Sequence, residues 1–117
     1  MEKIFPNNFE TTVSINNLQK FLCGKNRPGH FNGVSTIVLK LFNIISPNVA
    51  IFGKKDFQQL TIVKKMVEDL NMNIKILEGS IIRESNGLAM SSRNKLLSPK
   101  NFHKASNIYK GLKYIKD

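Results

Sequence analysis

The stretch with the strongest chemical content joins an apolar run to a helix start through a basic turn. The run 49–52 ends at Gly53, and Lys54 and Lys55 follow before Asp56 opens a helical pattern. In an open α/β sheet, ligands bind outside the carboxyl ends of the strands. A helix N-terminus adds unpaired N–H groups and a partial positive charge, which favour anions. The sequence therefore predicts a phosphate-handling site at this junction.

Two further loops carry side chains suited to the same ligand. One holds Arg27 and His30 around a Pro-Gly turn, and the other runs from Ser91 to Asn94 with two hydroxyls and Arg93. Cations and hydroxyl donors stabilise the charge spread over phosphoryl oxygens. Loops that leave the same edge of a parallel sheet can converge. We therefore expect a polyphosphate ligand, because no P-loop, dinucleotide fingerprint or metal-spaced Cys/His set occurs.

Each of these features also has a purely structural interpretation. The lysine pair can be a solvated turn, and Asp56 can serve only as a helix N-cap. His30 can be a satisfied loop histidine, and Ser91 with Ser92 can form a plain turn. Residue type and spacing alone leave these alternatives open.

Hydrophobic spacing predicts the elements that position these loops. In chain order they are a strand over 11–15, a short helix capped by Asn16 or Asn17 and ended by Gly24, a helix over 33–45 capped by Asn32, a strand over 49–52, a helix from Asp56 to about Leu70, a strand over 74–77, and a last helix opened by Ser98 and Pro99. Residues 80–84 extend the sheet or form a short ribbon, and 85–87 form a turn.

Helices alternating with strands imply parallel crossovers. The predicted fold class is therefore α/β, with a Rossmann-like parallel sheet and flanking helices. The continuous apolar strand 49–52 is expected to be covered on both faces, and Asp56 with Gln59 fits a capping box. The helix that follows is expected to bury Phe57, Leu60, Val63, Val67 and Leu70.

Length and composition favour one small globular domain. The chain has 117 residues, 41% hydrophobic and 22% charged, without an apolar run near the ~18 residues of a membrane span or a secretory leader. A single cysteine, Cys23, suits a reducing compartment, so we expect a cytoplasmic protein with no membrane partner. The net charge of +10 permits nucleic-acid binding. Nucleic acid remains the weaker alternative, because the chain carries no such motif and its Lys, Asn and Ile are what AT-rich codons supply.

Three motifs in order resemble one enzyme family, pantothenate synthetase (pantoate–β-alanine ligase). They are R-P-G-H-F-N-G-V-S-T-I-V from Arg27, V-A-I-F-G-K-K-D-F-Q-Q-L from Val49, and I-R-E-S-N-G-L-A-M-S-S-R-N-K-L-L-S from Ile82. The resemblance implies a ligase that activates pantoate with ATP and Mg²⁺, which gives pantoyl adenylate and pyrophosphate. β-Alanine then attacks the adenylate, which gives pantothenate and AMP. The resemblance also implies a homodimer and a nucleotide-binding domain like that of class I aminoacyl-tRNA synthetases.

The same resemblance assigns the site residues. Those expected to bind ATP are Gly53, Lys54, Lys55, Asp56, Ile82, Met90, Ser91, Ser92 and Arg93. Gln59 would hold pantoate. Lys55, Arg93 and His30 are expected to be catalytic, with Lys55 on phosphate oxygens, Arg93 on a mobile loop facing the phosphates, and Arg27 and His30 beside them.

Two departures from the family pattern accompany the match. The family usually has glutamate where this chain has Lys54. Its His-x-Gly-His segment, second pantoate-binding glutamine, magnesium-binding carboxylates and C-terminal domain have no counterpart in the sequence. Residues 1–117 are therefore expected to form a single partial nucleotide-binding domain with little ligase activity alone. The alternatives are a non-catalytic binder of anions or nucleic acid, and a marginally folded remnant without function.

Overall fold

The computed structural model describes residues 4–116, which form two compact units. The unit ending at Gly79 holds α1 (Leu22–Asn26), α2 (His30–Ile45), β1 (Val49–Gly53), α3 (Phe57–Asp69) and β2 (Lys75–Gly79). The unit beginning at Ser80 holds α4 (Pro99–Lys116). No helix within residues 4–116 is both long and apolar enough to cross a membrane.

The two strands pair in parallel, which confirms the predicted α/β class. Val49 lies opposite Lys75 and Gly53 opposite Gly79, with α3 between the strands in the chain. The expectation that β1 is covered on both faces is wrong, since Ile51 is 71% exposed. The described helices of this unit bury only one face of the sheet, so burial alternates along β1 with the two-residue period of a strand.

The core of the first unit lies between α2, α3 and that buried face. Phe42, Val63 and Met66 form its centre, and the half-buried Ala50 and Phe52 of β1 pack against them. Further half-buried members of this core are Val13, Ile15, Val38, Leu39, Val67, Met72, Ile74 and Ile76.

The buried face of α3 differs in part from the predicted one. Leu60 and Val63 are buried as expected, but Phe57 is 65% and Leu70 50% exposed. Ile62 and Met66 are fully buried. Phe57 stands in the first turn of α3 and lines a surface cleft, and Leu70 follows the last turn, so neither lies over the core.

The predicted strand over residues 11–15 is wrong. The Val13 N–H donates to the Thr36 Oγ1 at 2.9 Å, and this hydroxyl donates to the Asn32 carbonyl at 2.7 Å. Val13 and Ile15 still contribute apolar side chains to the core. The segment therefore pairs with a helix side chain where a strand partner was expected.

Two helix starts also differ from the predictions. Helix α2 begins at His30 after Gly29, whose φ is 77°, so Asn32 lies inside the helix and does not cap it. The predicted short helix splits into a 3-10 turn (Leu18–Lys20) and α1, separated by the extended Phe21.

Gly24 does not end a helix but lies within α1. A Cβ at this position would stand 1.9 Å from the Gln19 carbonyl oxygen, so the close approach of these two backbone segments requires glycine.

The second unit contains the predicted short ribbon and last helix. Arg83 and Ala89 form an antiparallel bridge around the turn at Gly87, whose φ is 89°. The Arg83 guanidinium stacks on the Tyr109 ring of α4 at 3.7 Å. Ser98 caps α4 as predicted, its Oγ accepting the Asn101 N–H at 3.3 Å. The expected apolar face of α4 is only partly covered: Phe102, Ala105 and Tyr109 are half-buried, and Ile108, Leu112 and Ile115 are exposed.

Candidate functional site

A surface cleft of about 250 Å³ lies where α2 and α3 begin. His30 is the first residue of α2 and Phe57 the first residue of α3. The cleft is lined by Leu22, Cys23, Arg27, His30, Phe31, Lys55, Asp56, Phe57, Gln58 and Gln59. The first two predicted loops therefore do meet, and they meet at two helix N-termini, each of which carries partial positive charge.

The two adjacent lysines of the basic turn have different surroundings. Lys55 lines the cleft, and no carboxylate lies within ion-pair distance of it among residues 4–116. The Lys54 Nζ instead lies 3.0 Å from the Glu78 Oε2 on β2. The tight 3-10 turn Lys54–Asp56 separates the two side chains. The amine of Lys54 is thus bonded within the protein, while that of Lys55 has no ion-pair partner among residues 4–116.

Glu78 is the shared acceptor of two lysines. Lys64 on α3 donates to its other carboxylate oxygen. The hydrogen bond from Lys64, followed by that from Lys54, holds the pKa of the Glu78 carboxyl below its usual range. This network links β2, α3 and the basic turn.

The predicted capping box at Asp56 is wrong. Asp56 occupies the N-cap position of α3, but its side chain makes no capping hydrogen bond. The 3-10 turn before α3 gives Asp56 a backbone outside the extended geometry usual for a cap, with φ −100° and ψ 59°. Asp56 and Gln59 both line the cleft.

Gln58 joins the start of α3 to the opposite wall of the cleft. Its Oε1 accepts the Cys23 N–H at 3.1 Å. Its Nε2 donates to the carbonyl oxygens of Leu18 at 3.0 Å and Phe21 at 2.7 Å. The sequence signalled none of these contacts, because they join residues 35 to 40 positions apart.

Arg27 and His30 form a pair at the start of α2. The guanidinium Nη1 of Arg27 lies 3.3 Å from the His30 Nε2. A guanidinium has only donors, so this ring nitrogen accepts the hydrogen bond. Both side chains line the cleft, and His30 is therefore placed to orient Arg27.

The charge balance of the cleft favours an anion. Among the described residues that line it, Arg27 and Lys55 supply two cations, whereas Asp56 is the one carboxylate. In the described part of the chain, no three His, Cys, Asp or Glu side chains come together as a metal site. Cationic side chains combined with two helix starts suit phosphate or carboxylate groups.

Of the remaining predicted site residues, Gly53 ends β1 in the first unit and is not among the residues that line the cleft. Ile82, Met90, Ser91, Ser92 and Arg93 belong to the second unit. The Ser91 Oγ accepts the Arg93 N–H at 3.3 Å and opens a 3-10 turn, Ser92–Leu96. The Ile82 carbonyl accepts the Met90 N–H at 2.9 Å. That this loop converges on the cleft of the first unit stays a prediction.

A cavity of about 500 Å³ lies in this second unit. Its lining residues are Glu84, Met90, Ser91, Ser92, Asn94, Lys95 and Phe102. The Asn94 amide donates to the Glu84 Oε1 at 3.3 Å and to the Ala89 carbonyl at 3.1 Å, so it ties the hydroxyl-rich turn to the ribbon.

The first unit is thus a parallel α/β unit with a cationic cleft at two helix starts, an arrangement typical of α/β proteins that bind anionic ligands. The chain belongs to the pantoate–β-alanine ligase family, whose family model, described as Pantoate-beta-alanine ligase, matches residues 1–117. The resemblance predicted from the three motifs is confirmed.

Individual relatives agree with this assignment. A pantothenate synthetase of Caldicellulosiruptor bescii is 49% identical over 117 residues, which are 100% of this chain and 42% of that protein. A pantothenate synthetase of Acetivibrio thermocellus is 51% identical over 112 residues, covering 96% of this chain and 40% of its own length. This chain thus spans about two fifths of the length of the relatives that it matches.

Solved structures of the family have the same fold. Pantothenate synthetase from Thermus thermophilus superposes with a TM-score of 0.91 at 43% identity, over 93% of this chain and 40% of that one. A pantoate-β-alanine ligase from Francisella tularensis, complexed with beta-gamma ATP and β-alanine, gives a TM-score of 0.85 at 38% identity, over 93% and 42% of the two chains.

Proposed function

We propose that this chain supplies part of a pantoate–β-alanine ligase that activates pantoate with ATP. Family membership supports the reaction, and the ATP and β-alanine complex of the Francisella tularensis relative supports the ligands. The observation that carries the proposal is the cleft in which Lys55 and Arg27 meet the first residues of α2 and α3.

In the proposed first step, a pantoate carboxylate oxygen attacks the α-phosphorus of ATP and the bond to the β-phosphate breaks, so that pyrophosphate leaves. Negative charge grows on the phosphate oxygens during this step, and fixed cations stabilise it. Lys55 and Arg27 provide that charge, and His30 orients Arg27 through their contact. In the second step the β-alanine amine attacks the acyl carbonyl and AMP leaves.

The size of the cleft limits which part of the ligands it holds. Its volume of about 250 Å³ is below the ~300–1,000 Å³ of pockets that enclose a drug-sized ligand, so it does not enclose ATP and pantoate together. We assign the phosphate chain and pantoate to it, with Gln59 holding pantoate. The ATP contacts assigned to Ile82, Met90, Ser91, Ser92 and Arg93 would come from the second unit.

Magnesium is implied by the family resemblance, but the described residues do not supply a site for it. Mg²⁺ is usually bound through one or two carboxylates together with substrate phosphates. Of the described carboxylates only Asp56 lines the cleft, and residues 4–116 contain no cluster of three potential ligands. We therefore assign no metal ligand in this chain. A homodimer, implied by the family, and a cytoplasmic location, expected from the single cysteine, complete the proposal.

The test compares the two adjacent lysines. Lys55→Ala should weaken ATP binding about tenfold or more, because a charge-assisted hydrogen bond is lost. Lys54→Ala is the matched control, since its amine is bonded to Glu78, and it should change the dissociation constant less than about twofold. Titration calorimetry with ATP measures both. Equal losses in the two variants, or no ATP binding by the wild type, would overturn the proposed role of the cleft.

A further inference from the structure

The wall of the cleft formed by Leu22 and Cys23 includes a strained backbone position. Leu22 has a φ of 48°, in the left-handed region that residues with a Cβ rarely adopt. Its side chain is 74% exposed, so burial does not hold it in place. Strain of this kind persists only where surrounding contacts fix the backbone.

Gln58 provides such contacts on both sides of the strained residue. The carbonyl of Phe21, just before Leu22, accepts from its Nε2, and the N–H of Cys23, just after Leu22, donates to its Oε1. A third bond reaches the Leu18 carbonyl. One amide therefore brackets Leu22 from the first turn of α3.

We propose that Gln58 is a positioning residue that holds Leu22 in its left-handed conformation and thereby fixes the cleft wall. The wall lines the same cleft as Lys55 and Gln59. A wall that is already ordered in the free chain loses less conformational entropy when a ligand binds. The nature of that ligand rests on the proposed function, whereas the role of Gln58 in ordering the wall does not.

The side-chain chemistry makes the role specific to an amide. Leucine at position 58 keeps the size but removes every hydrogen bond. Glutamate keeps an acceptor for the Cys23 N–H, yet places a second oxygen against the Leu18 and Phe21 carbonyls, where only a donor is compatible. Both Gln58→Leu and Gln58→Glu should therefore release the wall.

Amide hydrogen exchange on the ligand-free chain tests this directly. In Gln58→Leu, exchange at the Cys23 amide should rise about tenfold, because its acceptor is lost, while amides of α3 around Val63 stay protected. Gln19→Ala is the control, since its amide bonds the Ser14 hydroxyl and should leave Cys23 unchanged. Unchanged Cys23 exchange in a folded Gln58→Leu would overturn the inference.

A second-site rescue separates positioning from general stabilisation. Asparagine adopts the left-handed region more readily than leucine. In Gln58→Leu the Gly24 amide, which donates to the Phe21 carbonyl at 3.0 Å, should also exchange faster, and adding Leu22→Asn should restore part of its protection. Absence of any rescue at the Gly24 amide counts against the inference. If the amides of α3 also lose protection in Gln58→Leu, the same comparison is made with Gln58→Glu, alone and combined with Leu22→Asn.

ATP titration of the same variants links the wall to the ligand. Gln58→Leu should raise the ATP dissociation constant about fivefold or more at temperatures where the chain is fully folded. An unchanged constant beside faster Cys23 exchange would overturn the link to binding. Absence of ATP binding by the wild type would count against the proposed function, while the exchange data decide the role of Gln58.

Discussion

The Lys54 Nζ lies 3.0 Å from the Glu78 carboxylate, which places the partner of this lysine on β2. Position 54 is the one where the family resemblance implies a glutamate. The lysine is accommodated here because Glu78 neutralises it, and Lys64 completes the network on the other carboxylate oxygen. Lys54 is thus paired with a carboxylate of β2, while Lys55 lines the cleft.

Stability should depend on pH through Glu78. Because its pKa is lowered in the folded chain, its contribution to stability is complete above the unfolded pKa and is lost as the pH falls through the folded pKa. Glu78→Gln should therefore lose less stability than the wild type between neutral pH and about pH 3. Urea unfolding at both pH values measures the difference. Glu68→Gln, which removes an exposed α3 carboxylate, is the control; an unaltered acid loss in Glu78→Gln would contradict the prediction.

Alanine substitution should lower the stability of the chain at Gly24 and raise it at Gly33. Gly24→Ala forces a methyl group to within 1.9 Å of the Gln19 carbonyl and should destabilise the chain by about 1–3 kcal/mol. Gly33 lies in α2 with open space around its Cβ position, so Gly33→Ala should stabilise by about 0.5–1 kcal/mol. Denaturant unfolding of the pair gives the comparison. Similar effects of the two substitutions would mean that the contact at Gly24 is relieved by movement of the 18–20 turn.

Met66 should be the most sensitive test of the core of the first unit. It is fully buried against Phe42 and Val63, so Met66→Ala should cost about 2–5 kcal/mol through lost burial and the cavity left behind. Ile44→Ala on α2 is the control, since Ile44 is 65% exposed and its loss should cost less than about 0.5 kcal/mol. Thermal or urea unfolding measures both, and equal costs would place the core elsewhere.

Nucleic-acid binding through the +10 net charge makes a different prediction from ATP binding in the cleft. Binding to arbitrary duplex DNA should fall steeply as salt rises and should lose about the same from Lys54→Ala as from Lys55→Ala. ATP binding should depend on Lys55 far more than on Lys54. Fluorescence anisotropy with labelled DNA at two salt concentrations distinguishes non-specific DNA binding from ATP binding in the cleft. Sequence-selective DNA binding that persists at high salt would favour the nucleic-acid alternative.

Local patterns in the sequence predicted much of the fold. The period of apolar residues located α2, α3 and the two parallel strands, and the Ser-Pro pair located the start of α4. The 11–15 segment was misassigned because β propensity says nothing about the partner, which is a threonine hydroxyl 23 residues away. Capping by Asp56 failed because a 3-10 turn replaced the extended backbone that a cap requires.

The candidate site was predictable where the motifs held its residues. Arg27, His30, Lys55 and Gln59 were all expected, and all line the cleft. Two contacts were not expected, the hydrogen bond between Gln58 and the Cys23 N–H and the ion pair between Lys54 and Glu78. Each joins a polar side chain to a group far away in the chain. Such contacts leave no periodic signal, because their geometry exists only after the elements have packed.

The cleft also contains a free thiol that can be labelled. Cys23 is the one cysteine in the sequence, it is exposed, and it lines the cleft with its backbone N–H anchored by Gln58. A thiol-reactive fluorophore would therefore attach at a single known position within the wall, without any engineering of the chain. Quenching or a spectral shift of that dye on adding ATP, pantoate or pyrophosphate would report, ligand by ligand, which of them enters this cleft.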